Sequence, residues 1–459
     1  MNVFLIISDT FRYDNLLDDT VMPVRTPQLD AFKKRAVSIQ GFHTGSFPTI
    51  PHRTDLITGR FNWPWYPWKD LKEKVCLPQV LASTGKYVTQ LLCDCPHLFK
   101  AGFQKRFHAA QAVRGQEGDL PFLRMNHEIR EMMPPEKTRT GKHFMGRTLV
   151  DIHSWCNRDW KGEADTFPAR TADLACRWLE ENHKHEYSFL WVDFFDPHEP
   201  WDPPEYMVRR YDPDYEGTAM LHPNYGKASD YTKAELRNLR AHYCAEAELV
   251  DRWVGRILQK IDDLRLWENS LVIFTSDHGT SLGEHDRTGK TNINERDDRI
   301  WPMYPTNAHI PFLIAGPGLL VDRELDLLAQ PVDILPTILD LLDLDVELPG
   351  PIHGKSFASH LKGQVIGEHR DLVICSPYLR LREDGQLGGV DTPMMYSKEW
   401  GYVPIGLEKM PELYRIREDR CAERNVIQDH RDVAREMHER FLSWLRDLNA
   451  PEEALAPYC

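Results

Sequence analysis

The chain has 459 residues, with 56 Lys and Arg against 70 Asp and Glu, and a formal net charge of −14. Its 41% hydrophobic and 27% charged fractions are those of a soluble globular protein, long enough for one large α/β domain and a smaller one without disulfide staples. An acidic balance with no basic run argues against nucleic acid or an anionic membrane as partner, and no stretch approaches the ~18–20 apolar residues that span a bilayer.

Val3-Phe4-Leu5-Ile6-Ile7, stopped by Ser8-Asp9, is too short for a signal segment and reads as a buried first strand. Similar apolar runs end at polar residues farther on. Tyr87–Leu92 ends at Asp94, Ser188–Phe195 at Asp196-Pro197-His198, Leu271–Thr275 at Ser276-Asp277-His278-Gly279, and Phe312–Ala315 at Gly316. Such runs, separated by helices, are what a mostly parallel sheet covered on both faces requires, and its ligand site lies beyond the carboxyl ends of the strands. Helical spacing marks Thr232–Ile261, Gln330–Leu344 and the amphipathic Asp429–Leu448. The texture turns charged and less periodic after Gly363, so residues 1–365 read as the catalytic α/β domain and 366–459 as a small α+β C-terminal subdomain. The nine cysteines show no repeating spacing, and reduced thiols in a cytoplasmic protein are the expectation.

The chemistry gathers at a few positions. Thr49-Ile-Pro-His-Arg53 has a hydroxyl at a helix start, with Pro51 in the first turn and Arg53 on the same face, an arrangement suited to an anion. Asp9 and Asp277-His278 bring two carboxylates and an imidazole from separate strand ends, a donor set for one divalent cation in which the imidazole favours Mn or Zn over Ca. Lys290 adds a cation. His198 lies in the proline-fixed loop Asp196–Pro204 and is a candidate general acid for a leaving alcohol.

These stretches resemble the sulfatases of the alkaline phosphatase superfamily nearly end to end. The matching motifs are Ile6-Ile-Ser-Asp-Thr-Phe-Arg12, Thr49-x-Pro-x-Arg53 with Thr58-Gly59, Asp196-Pro-His-x-Pro200, Ser276-Asp-His-Gly279 with Leu282-Gly-Glu-His285 and Lys290, Pro331-Val-Asp-x-x-Pro-Thr337, and Gly354-Lys-Ser356. Pro411-Glu-Leu-Tyr414 before the closing helix resembles the family's small C-terminal domain. The resemblance implies one divalent metal (Mn, Ca or Zn) at Asp9, Asp277 and His278, with Thr49 as further ligand and nucleophile. It also implies that Arg53, Lys290 and His198 hold the anion and protonate the leaving group, with His97 at a matching site position. Three departures stand out. Thr49 replaces the Cys or Ser that such sulfatases oxidise to formylglycine. Thr10 stands where many relatives have a second metal-binding Asp. Cys93-Asp-Cys-Pro-His97 keeps the His of a Gly-Lys-Trp-His pattern but lacks its Lys.

A formylglycine hydrate releases sulfate by collapsing to the aldehyde. Thr49 has no such exit, so its ester must be cleaved by water attacking the central atom. The expected activity is therefore metal-dependent cleavage of a phosphate mono- or diester through Thr49. A sulfatase working without formylglycine is the second reading, and a catalytically silent anion-binding homologue the third. The substrate expected is a small anionic ester, sugar- or aryl-linked, with Trp63, Trp65, Trp68 and Trp201 as stacking or core residues. A homo-oligomer is compatible with the sequence.

Overall fold

The computed structural model of the chain describes residues 1–72, 75–139, 141–292, 297, 299–348, 350–378 and 391–459. Its main sheet has eight strands: β1 (Asn2–Ser8), β2 (Val37–Phe42), β3 (Val88–Cys93), β4 (Ala109–Ala112), β5 (Ser188–Phe194), β6 (Ser270–Ser276), β7 (Phe312–Ala315) and β8 (Arg323–Ala329). They lie in the order β8-β2-β7-β6-β1-β5-β3-β4. Only β7 opposes its neighbours, and every other pairing in the sheet is parallel.

Side chains alternate across each strand, so β1 feeds two cores. Phe4 and Ile6 pack with helices α2 (Phe167–Asn182) and α3 (Lys233–Asp263), and Val3, Leu5 and Ile7 with α1 (Thr49–Thr58) and α4 (Ile334–Leu341). This is the α/β architecture expected from the apolar runs. Those runs mark five strands. The remaining three carry none: β4 and β8 are sheet edges, and β2, Val-Ser-Ile-Gln-Gly-Phe, mixes apolar with polar residues. Thr232 caps α3 through a reciprocal bond pattern with Glu235. Among the described residues no helix is long and apolar enough to cross a membrane, and none of the nine cysteines forms a disulfide.

A second sheet comprises β9 (Val373–Pro377), β10 (Met394–Tyr396), β11 (Trp400–Val403) and β12 (Glu412–Arg415), and the short strand Ser46–Phe47 pairs parallel with β9. Met437, Phe441 and Leu445 of the closing helix α5 (Arg431–Asp447) pack on Ile374, Met395 and Tyr402. The C-terminal sheet thus takes its edge strand from the chain just before Thr49, an interlock that a boundary near residue 365 does not anticipate.

Two of the conserved-looking motifs prove to be one structural knot. Asp333 accepts the backbone N–H of Gln330 (3.0 Å) and Lys355 (2.8 Å) and Nε of Arg370 (2.8 Å). Gly354 has no room for a side chain, because a Cβ there would lie 1.9 Å from the Val332 carbonyl oxygen. Burial works against the Asp333 charge, but Arg370 and His369 outweigh it and hold the carboxyl at about 2, below its ordinary 3.8. Asp333→Asn is expected to cost roughly 3–5 kcal/mol in urea unfolding, because Arg370 keeps a buried charge without its partner. In the wild type this contribution is complete above pH ~4 and disappears as the pH falls through ~2. An Asp333→Asn protein as stable as the wild type at pH 7 would contradict this assignment.

Candidate active site

Strands β1, β5 and β6 end level, with Ser8 in register with both Phe194 and Ser276. The residues that follow them therefore meet at one sheet edge. Asp9 continues β1 and donates its N–H to the Phe194 carbonyl at 2.9 Å. Thr10 then turns into the left-handed region with φ +62°, which is strained for a β-branched residue. That turn aims both its donors at carboxylates, its N–H at Asp277 Oδ1 (3.0 Å) and its hydroxyl at Asp9 Oδ1 (2.8 Å). The residue that replaces an acid thus becomes a hydrogen-bond donor.

Asp9, Asp277 and His278 are buried and each places a ligand atom within 4.8 Å of the others. His278 Nδ1 lies 2.9 Å from the Gly279 carbonyl, which fixes the proton there and leaves Nε2 as the free ring nitrogen. Nε2 is buried without a hydrogen-bond partner, and Asp9 Oδ2 accepts no hydrogen bond and has only the Arg53 guanidinium beside it at 3.2 Å. Burial and the Asp277 charge push Asp9 well above the usual carboxylate range, despite Arg53 and Lys290. Asp277 stays well below it, because His278 and Arg53 outweigh its burial. Burial lowers His278 to about 4, so its ring is neutral at pH 7. A buried neutral imidazole with a partnerless Nε2 beside two crowded carboxylates fits a divalent cation.

Arg53 lies behind this group with its side chain fully buried. Its Nε and Nη2 grip Asp193 at 2.8 and 2.9 Å, and Nη1 reaches Asp277 (2.6 Å), Asp9 (3.2 Å) and the Thr49 carbonyl oxygen (3.2 Å). The resemblance implies an anion-holding Arg53, but these contacts make it a clamp on protein carboxylates. Thr49 opens α1 after Pro48, is 3% exposed, and is tied to the triad through that guanidinium.

Lys290 Nζ lies 3.3 Å from both Thr10 Oγ1 and Glu199 Oε2. His198 stacks on Phe195 with ring centroids 3.9 Å apart, and its Nδ1 is 2.6 Å from the Glu199 carbonyl oxygen. Burial pushes His198 down to about 3, with Glu199 opposing and Lys290 assisting. His97 is one ring away, edge-on to Phe195 at 5.6 Å, and its Nε2 bonds Glu117 at 2.7 Å. The missing cation of that motif has no substitute at Asp94, which is buried and accepts the Thr171 hydroxyl and the Phe195 N–H. Of the four tryptophans, Trp63 stacks on Trp444 and Trp65 on His353, and Trp201 is buried edge-on to Tyr243. Trp68, 43% exposed and edge-on to His97 at 5.1 Å, is the one beside the site.

The Sulfatase family profile matches residues 1–344. The chain belongs to the sulfatase family. Its fold and its status as an ester hydrolase follow from that membership. Arylsulfatase K of Canis lupus familiaris is 24% identical over 96% of this chain and 82% of its own length. An endo-4-O-sulfatase of Bacteroides thetaiotaomicron is 25% identical over 73% of this chain and 66% of its own. Among solved structures, phosphonate monoester hydrolase of Agrobacterium radiobacter superposes with a TM-score of 0.70 at 21% identity, covering 97% of this chain and 95% of that one. A 2-O GAG sulfatase superposes with a TM-score of 0.65 at 17% identity, covering 97% and 92%.

Three site residues escape the motif reading: Asp193, Glu199 and Glu117. Asp193 was signalled only by being a lone acid within the apolar run Phe189–Phe195, and Glu199 by its place between His198 and Pro200. Glu117 lies in a loop with no pattern of its own. Asp277→Ala is expected to lose bound divalent cation and turnover together, with the far-UV circular dichroism unchanged. Chelation should reproduce the loss, and adding back Mn, Ca or Zn should reverse it; full turnover after exhaustive chelation would remove the cation from the reaction.

Proposed function

We propose that the chain is a metal-dependent hydrolase that cleaves a phosphate ester, mono- or diester, with Thr49 as its covalent nucleophile. The observation that carries this reading is a threonine, which cannot become formylglycine, at the start of a buried helix against Arg53 and the carboxylate triad. A divalent cation at Asp9, Asp277 and His278 would supply charge to the ester oxygens and favour ionisation of the Thr49 hydroxyl. In the first step Thr49 Oγ1, its proton released to solvent, bonds to phosphorus while the bond to the leaving oxygen breaks. His198 Nε2 gives the leaving oxygen its proton. Water then attacks phosphorus, the bond to Thr49 breaks, and a water proton returns to His198. Lys290 faces the negative charge that builds on the transferred group. Because Nδ1 of His198 is held by a carbonyl, Nε2 is the atom that moves the proton, and the entering anion favours the charged ring that burial otherwise disfavours.

A small ester with a sugar or aryl leaving group suits the exposed Trp68, and the relatives named endo-4-O-sulfatase and 2-O GAG sulfatase support a sugar. Nine cysteines with no disulfide among them support a reducing compartment. The second reading, a sulfatase working without formylglycine, is favoured by the arylsulfatase K relatives, whose similarity extends over 96% of this chain.

A turnover panel of nitrophenyl sulfate, phosphate monoester, phosphate diester and phosphonate ester, with metals added, separates the two. Higher kcat/KM on a phosphorus ester is expected, and a preference for the sulfate would install the second reading. Thr49→Ala should lose nearly all turnover while Thr49→Ser keeps a good part, and intact mass of a stalled reaction should show the adduct on the Thr49 peptide. Substantial turnover in Thr49→Ala would make water the attacker. His198→Ala is expected to slow esters of poor leaving groups by about 10²–10⁴-fold and nitrophenyl esters much less; equal losses on both would leave His198 a binding role.

A further inference from the structure

Glu199 is fully buried at the centre of the site, yet the reaction scheme gives it no task. Its Oε2 lies 3.3 Å from Lys290 Nζ and 3.7 Å from His198 Nδ1, so one carboxylate oxygen faces both the charge-neutralising and the proton-moving side chain. Its Oε1 accepts the hydroxyl of Tyr225, whose ring is also buried. Tyr225 has φ +52°, a conformation that bulky residues adopt only when their surroundings impose it. The same residue seats the backbone that carries Lys290. Gly289 has φ +103°, and a Cβ there would lie 3.0 Å from Tyr225 Cγ and 3.2 Å from its Cα. Tyr225 therefore fixes Lys290 from two directions, through the chain at Gly289 and through the carboxylate that holds the ammonium. Burial opposes the Glu199 charge, but His198, Lys290, His222 and Tyr225 together keep the carboxyl below its ordinary range.

A carboxylate beside an anion-binding site repels the ground-state anion. Its presence is explained if it improves the transition state more than it weakens binding. An ammonium on a flexible four-carbon stem needs such a partner, because its position is otherwise free to follow any nearby anion. We propose that Glu199, clamped by Tyr225, is a positioning residue that holds the Lys290 ammonium, and with it the His198 imidazole, in register with the group being transferred. This rests on the ester-hydrolase reading of the same site.

The test is a double-substitution cycle in the full-length, metal-loaded protein, comparing wild type, Glu199→Gln, Lys290→Met and the pair on the best ester of the panel. Glu199→Gln preserves shape and the Tyr225 contact but removes the charge. It is expected to keep its far-UV circular dichroism and metal content with a lowered melting temperature, since buried Lys290 loses its partner, and to lose roughly tenfold or more in kcat with KM unchanged or lower. In the Lys290→Met background the same change should alter kcat less than about twofold, because the group it acts through is gone. Tyr225→Phe should show a smaller loss of the same kind, about threefold, likewise abolished by Lys290→Met, and it decides the matter if Glu199→Gln does not fold. Equal losses in both backgrounds, a loss carried by a raised KM, or a kcat unchanged by Glu199→Gln would each overturn the proposal. If no ester is hydrolysed, the hydrolase reading fails separately, and the cycle is read on inorganic phosphate affinity by calorimetry. An affinity change confined to the Lys290 background supports the positioning role, whereas no change, or the same change in both backgrounds, overturns it.

Discussion

One guanidinium holds this site together. Arg53 is fully buried among Asp9, Asp193 and Asp277, and a buried arginine without carboxylates would be as costly as those carboxylates without it. The grip on Asp193 is bidentate, which fixes the plane of the fork as well as its position. Asp193 is in β5, Asp9 follows β1 and Asp277 follows β6, so one side chain on α1 ties together three adjacent strands of the sheet. Three carboxylates then face two cationic side chains, Arg53 and Lys290. The raised affinity of Asp9 for a proton is the expression of that imbalance, which Glu199 beside Lys290 deepens, and a divalent cation would offset it.

The same constraint explains why α1 is buried along its whole length although its sequence, Thr-Ile-Pro-His-Arg-Thr-Asp-Leu-Ile-Thr, is largely polar. A helix buried on all sides normally reads as apolar. Here several of its polar groups find partners inside. Thr54 and Thr58 donate to the carbonyls of Ile50 and Thr54 at 2.8 and 2.6 Å, and Asp55 accepts the N–H of Ser46 and Asn62 at 2.7 and 2.6 Å. Asp55 thereby anchors the strand Ser46–Phe47 that closes the C-terminal sheet, so the helix that begins at Thr49 is braced by both sheets.

The fold's centre was legible because β1, β5 and β6 are covered on both faces and so must be apolar throughout. Asp9, Asp277 and His278 were legible because polar residues that stop such runs fall at the strand ends. Edge strands β4 and β8 are half-solvated and leave only a weak alternation, and the C-terminal strands are short. What the motif pattern could not supply was which way a charge points. Arg53 at four residues from Thr49 is equally consistent with reaching out to an anion or back to carboxylates. The choice depends on Asp193, 140 residues away in the chain. Glu199 and Tyr225 raise the same difficulty, since neither the register that brings Tyr225 onto Gly289 nor its left-handed backbone has a sequence signal.

Thr10 carries the charge argument furthest. A second aspartate at this position would add another carboxylate to a group in which burial and the Asp277 charge already push Asp9 well above its usual range. Threonine instead donates to both, and it does so from a backbone conformation that β-branched residues avoid, at a cost of order 1–3 kcal/mol. With the cation bound, the site is one unit more positive than it would be with an acid here. Coulomb attraction scales with the charge of the partner, so that unit favours a doubly charged phosphate monoester over a singly charged sulfate ester. On the proposed reading, the two departures from the family pattern bear on the substrate independently: Thr49 through the route by which a covalent ester would break, which serves a phosphate mono- or diester, and Thr10 through the charge met on entry, which favours the monoester.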